Sequence, residues 1–147
     1  LFIYIGHTVI DTQGRGWMIA GRGLDQDLIS GEFIEQKPEK FSDLLLVHLD
    51  SCTSAIGRLL DFRDSLALSL LRAGVPSVVA TQWEVSDKSK SRLEVVIEFY
   101  QRVAQGKPLD QAIREAEIAV LRRYSGGEER YELSGCLLLG SYLNPTS

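Results

Sequence analysis

Apolar positions along the chain fall into two patterns. Short runs without alternation occur at Phe2 to Ile5, at Leu44 to Leu49 (LLLVHL), at Ser77 to Trp83 (SVVATQW) and at Leu137 to Tyr142. Such runs predict strands covered on both faces, the kind found in parallel sheets. Longer segments repeat their apolar residues at helical spacing. Leu59 to Ala73 carries Phe62, Leu66, Leu70 and Ala73 on one side and further leucines on others, which predicts a helix buried on more than one side; Gly74 ends it. After a cap at Ser86 or Asp87, a stripe through Leu93, Val96, Ile97, Tyr100 and Val103 predicts a second helix, closed by Gly106. Pro108 then suits the first turn of a third helix, whose inward face is Ala112, Ile113, Ala116 and Val120. Thr8 to Gln13 and Trp17 to Ala20, joined by Gly14-Arg15-Gly16, read as a hairpin, and Leu28 to Gln36 as a weak helix. The order of strands and helices predicts an α/β fold: an open, mostly parallel sheet with helices on both faces.

Composition narrows the function. The 147 residues hold 16 Lys and Arg against 20 Asp and Glu, a net charge of −4. That balance argues against nonspecific binding to nucleic acid or to an anionic membrane surface, which needs clustered cations. No apolar run approaches the ~20 residues of a membrane span. The opening LFIYIG lacks the basic flank and cleavage site of a signal peptide, so a cytoplasmic location is expected. Two cysteines, Cys52 and Cys136, lack metal spacing and are expected to be reduced thiols, with no metal or other cofactor. Leu1 lies inside an apolar run, which suggests a portion of a larger protein with further strands before it.

In an open parallel sheet, reactive groups gather beyond the carboxyl ends of strands. His7 follows the first predicted strand and Cys52 the second. If these strands are neighbours, about 4.8 Å apart, an imidazole and a thiol face each other across one edge. A thiolate attacks an amide carbonyl, and a histidine takes the thiol proton and returns it to the leaving amine. His48, inside its strand, reads as a packed or partner-satisfied residue, and Cys136, within GCLLLG, as core.

The stretches YIGH, HLDSCTSA, LLRAGVPSVVATQWEVSD and IEFYQRVAQGKPLDQAIREAE, in this order, resemble the CHAT domains of the caspase- and separase-like cysteine peptidases. The most specific parts are Ala73 to Asp87 and Phe99 to Ala116. The resemblance implies a caspase-like sheet and one CHAT domain over residues 1–147, forming the catalytic portion of a longer chain. It implies His7 as general base and acid and Cys52 as nucleophile. Backbone N–H groups after the histidine and at Cys52 would bind the oxyanion, and there the sequence departs from the family, with Thr8 in place of the usual glycine. It also implies a protein or peptide substrate and an upstream repeat region, of the TPR kind, or a sensor domain. Asp50-Ser51-Cys52 resembles the DSC of arginine-cleaving metacaspases, whose aspartate floors the pocket for the residue before the scissile bond. Asp50 would then pair with a guanidinium, giving cleavage after Arg or Lys. The bland reading of Asp50 is a helix cap or a bond to loop backbone. Trp83 and Glu84, at the carboxyl end of the third predicted strand, would line the same cleft.

The alternative reading is a catalytically silent CHAT-like interaction module, which retention of both His7 and Cys52 disfavours and Thr8 favours. A nucleotide-binding domain is weaker still, because no GxGxxG or Walker loop occurs.

Overall fold

A computed structural model describes residues 1–6, 8–10, 16–22, 25–50, 65–81, 90–124 and 136–140. Four strands make the main sheet: β1 (Phe2–Ile5), β5 (Leu46–Asp50), β6 (Ser77–Thr81) and β7 (Cys136–Gly140), in the order β1-β5-β6-β7. β1 runs parallel to β5 and β5 parallel to β6, while β7 pairs antiparallel with β6. The predicted α/β class and mostly parallel sheet are therefore what the chain forms.

A second, antiparallel sheet holds β2 (Thr8–Ile10), β3 (Gly16–Arg22) and β4 (Asp25–Ser30). The expected hairpin is thus a three-stranded meander. Asp25 to Ser30 pairs along the length of β3 rather than starting a helix, and α1 (Gly31–Gln36) is correspondingly short. Ladder bonds to β3 outweigh the weak helical pattern of Leu28 and Ile29. Ser30 ends the strand and caps the helix together, its Oγ accepting from the Phe33 N–H at 3.0 Å. The meander is tied to the main sheet by Tyr4, whose hydroxyl donates to the Ile19 carbonyl at 3.0 Å and accepts from the Ile19 N–H at 3.2 Å.

Helices cover the main sheet on both faces. On one, α1 and α2 (Leu66–Arg72) bury Ile34, Leu66, Ala67 and Leu70 against Val47, Leu49, Val78 and Ala80, joined by Met18 from β3. On the other, α3 (Lys90–Ala104) and α4 (Leu109–Leu121) bury Val95, Phe99, Leu109, Ala112, Ile113, Ala116 and Val120 against Leu46 and Val79. Strict alternation along β5 and β6 feeds the two cores in turn, as strands buried on both faces require.

Two details depart from the sequence reading. β1 is an edge strand, with Phe2 and Ile3 each 42% exposed, because among the described residues only β5 lies beside it. On α3 the buried line is Ser91, Val95 and Phe99, while Leu93 and Ile97 are exposed. This helix is apolar around much of its girth, so periodicity alone admits two faces; the buried one carries the large Phe99 and the small Ser91. Of the last predicted strand, residues 137–140 lie in β7 and residues 141–142 fall outside the described residues. At Gly140 φ is +98°, and a Cβ would lie 2.3 Å from the Pro76 carbonyl oxygen.

Gly74, at φ +95°, ends α2 as expected, with the Val75 N–H reaching back to the Leu70 carbonyl at 3.1 Å. Of the predicted helix over 59–73, residues 59–64 lie outside the described residues, as do the Ser86 and Asp87 caps.

Candidate active site

The carboxyl ends of β1, β5 and β6 lie side by side, the edge where ligand sites form in open parallel sheets. Ile5 is opposite Asp50, and the Gly6 N–H donates to the Asp50 carbonyl at 3.3 Å, carrying the pairing one step past β1. His7 and Cys52 each come two residues after this matched pair in the sequence. Both lie outside the described residues, as do Trp83 and Glu84; Thr8 opens β2, opposite Met18.

β5 sends His48 and Asp50 to the α3 face of the sheet, two residues apart. His48 is 2% exposed and bound through Nδ1 to the Tyr100 hydroxyl at 3.0 Å. The Phe99 ring meets it edge-on, and the Tyr100 ring is tilted across it. Burial pulls the His48 pKa down to about 4, with the charge of Asp50 opposing and that of Arg92 assisting, so the ring is neutral at pH 7. Burial, reinforced by Asp50, raises the Tyr100 pKa above its ordinary value, so the phenol keeps its proton. His48 is thus the partner-satisfied core residue expected.

Asp50 is not left open. Its Oδ1 faces the guanidinium of Arg92, from α3; the two side chains are only 16% and 11% exposed. Arg92 also donates to Thr81 Oγ1 at 2.8 Å, and the Thr81 hydroxyl in turn reaches the Leu49 carbonyl at 3.4 Å. One guanidinium therefore joins the last residue of β5 to the last residue of β6. Removing one partner of a pair this enclosed costs about 3–5 kcal/mol, because the other charge is left desolvated.

Sequence reasoning missed Arg92, Thr81 and the polar role of Tyr100, which it had placed on an apolar stripe. No sequence signal pointed to Arg92: a cap at Ser86 or Asp87 places it past the first turn of its helix, and Asp50 lies far from it along the chain.

On the outer side of α3 and α4 the charges serve packing. Arg123 bonds Glu94 and Glu98, Tyr124 donates to Glu94, and Lys107 and Arg102 meet Glu115. These contacts clamp the helix pair and lie apart from the strand ends.

A family model described as CHAT domain matches residues 3–132. No curated protein matches the chain.

Proposed function

Since the chain belongs to the CHAT domain family, which is associated with caspase-like cysteine peptidases, we propose that it is a cysteine endopeptidase working through a His7–Cys52 dyad. One observation carries this reading: β1 and β5 are adjacent and parallel, with Ile5 opposite Asp50 at the shared carboxyl edge, immediately before the two reactive residues. Strands on opposite edges of the sheet would have ended the proposal.

In the proposed reaction His7 takes the Cys52 thiol proton, and the thiolate attacks the substrate carbonyl carbon. The backbone N–H groups of Thr8 and Cys52 hold the resulting oxyanion. Collapse breaks the C–N bond as His7 returns the proton to the leaving amine. Water, deprotonated by His7, then attacks the thioester and releases the acid and the free thiol. Every proton is accounted for by the one imidazole, so the scheme calls on no metal or cofactor. Asp50, with Trp83 and Glu84 from just after β6 in the sequence, would select Arg or Lys before the scissile bond. A protein or peptide substrate, a cytoplasmic location and control by an upstream repeat or sensor region complete the proposal. Among the described residues, no helix is long and apolar enough to cross a membrane.

Intact-mass labelling with an arginine-bearing acyloxymethyl ketone, beside an aspartate-bearing control, tests it. Capture by the arginine probe that disappears in Cys52→Ala supports the thiolate and the basic-residue preference together. Preferential capture by the aspartate probe refutes the specificity. Capture of neither, with the protein folded, favours a silent interaction module.

A further inference from the structure

A buried ion pair stands immediately before the candidate nucleophile. Asp50 closes β5, its Oδ1 is buried, and the guanidinium of Arg92 reaches that oxygen from α3. Cys52 follows two residues later, so its Cα lies within about 7 Å of the Asp50 Cα whatever path the chain takes. We infer that Arg92 is a positioning residue for the Cys52 thiol, acting through Asp50: its charge offsets a carboxylate that would otherwise oppose formation of the thiolate. The inference rests on the reading of Cys52 as nucleophile and does not require Asp50 to receive a substrate.

A buried ion pair is a costly way to join two elements. Apolar side chains of similar volume often do so as well or better, so the packing of α3 on β5 does not by itself call for charges here. The guanidinium is also fixed where it stands. It donates to Thr81 Oγ1 at 2.8 Å, the Thr81 hydroxyl reaches the Leu49 carbonyl at 3.4 Å, and both Arg92 and Thr81 have further contacts besides these. Without it, the carboxylate would act on its neighbour at close range, because a like charge disfavours an anion and a buried charge is little screened by salt. The other titratable groups on this face of β5 carry no charge at pH 7: the His48 ring is neutral through burial, and the Tyr100 phenol keeps its proton. His7, the proposed proton partner of the thiol, follows β1 in the sequence. Among the described residues, the balance of charge at Asp50 therefore falls to Arg92.

Two unit charges about 7 Å apart, at an effective dielectric between about 20 and about 80, displace each other's ionisation by roughly 0.5 to 2 pH units. Removing Arg92 while Asp50 stays should thus raise the pH of half-maximal Cys52 alkylation by about one unit, and slow the reaction about tenfold well below that midpoint.

The test is the pH–rate profile of iodoacetamide alkylation, read at Cys52 by peptide mapping, which needs no catalytic activity. It compares wild type with Arg92→Gln, Arg92→Lys, Asp50→Asn and Arg92→Gln/Asp50→Asn, each checked for folding by circular dichroism. The expected result is a midpoint raised by about one unit in Arg92→Gln, close to wild type in Arg92→Lys and in the double variant, and lowered in Asp50→Asn, which keeps the cation alone. An unmoved midpoint in Arg92→Gln overturns the inference. So does a rise that persists in the double variant, since Arg92 would then act other than through Asp50. Should Arg92→Gln not fold, Asp50→Asn carries the test, and an unmoved or raised midpoint there overturns the inference. If neither single variant folds while the double variant does, the pair is a tie of the fold and the inference is lost. The arginine-bearing ketone, run on the same proteins, separates this from the peptidase reading: midpoints that move as expected without capture uphold the role of Arg92 and refute the peptidase, whereas capture with unmoved midpoints does the reverse.

Discussion

Two groups among the described residues, the buried His48 and the half-buried Glu117, give opposite contributions to the pH dependence of stability. The His48 pKa is pulled from its usual ~6.5 to about 4 by burial. Between those values the unfolded chain binds the proton and the folded one refuses it, so stability falls as pH drops from 6.5 towards 4. From pH 7 to pH 5 the loss from this ring is about 2 kcal/mol. Glu117, on α4, works the other way: burial pushes its pKa up to about 7, and its Oε1 has no hydrogen-bond partner among the described residues. Here the folded state holds the proton more tightly, so stability is gained as pH falls from 7 towards 4.5. The side chain is half-buried, and solvent screening reduces its share to about 1 kcal/mol over the same range. Wild type should therefore show a shallow dependence, with a net loss near 1 kcal/mol from this pair. Glu117→Gln should lose stability more steeply on acidification, and His48→Asn should gain it. Urea unfolding followed by tryptophan fluorescence at pH 7, 6 and 5 reads all three. Glu94, Glu98 and Glu115 have their pKa values lowered by hydrogen bonds, chiefly from Tyr124, Arg102 and Lys107 respectively, so their contributions are lost below this window. Comparison with wild type removes every other titrating group from the result. A His48→Asn variant whose slope matches wild type would refute the account of a ring held neutral by burial.

Two further predictions test the packing. Val95→Ala should cost about 2 kcal/mol, whereas Leu93→Ala, two residues away but exposed, should change stability by less than about 0.5 kcal/mol in urea unfolding; the reverse ranking would mean that α3 presents its other apolar face to the sheet. Gly140→Ala, which forces a Cβ towards the Pro76 carbonyl at positive φ, should destabilise by more than the ~1 kcal/mol of an ordinary glycine replacement and lower the melting temperature measurably.

The class of fold was legible because the unbroken runs of β5 and β6 can be buried only between two layers, and because α4 carries a single apolar face. Both properties are local and survive without knowledge of neighbours. The meander was half legible: Thr8 to Ile10 and β3 follow β grammar, but Asp25 to Ser30 becomes a strand through its ladder with β3, a non-local interaction that overrides a weak helical pattern. The face of α3 was not legible, since Leu93, Val95, Ile97 and Phe99 offer apolar residues on more than one side and only packing against Leu46, Val79 and α4 chooses among them.

The same division runs through the candidate site. Sequence alone determined which residues could do chemistry, His7 and Cys52, and that they follow two strands suited to a buried sheet. That β1 and β5 are neighbours, with Ile5 opposite Asp50, is a matter of strand order, which no periodicity encodes. The partners of His48 and Asp50 were equally out of reach: Tyr100 lies 52 residues from His48 in the chain, and Arg92 is 42 positions beyond Asp50. Sequence could announce that a carboxylate at a strand end and a cation on a packed helix each need compensation. Only the crossover that lays α3 over β5 decides that they compensate one another, because charges pair through space and not along the chain.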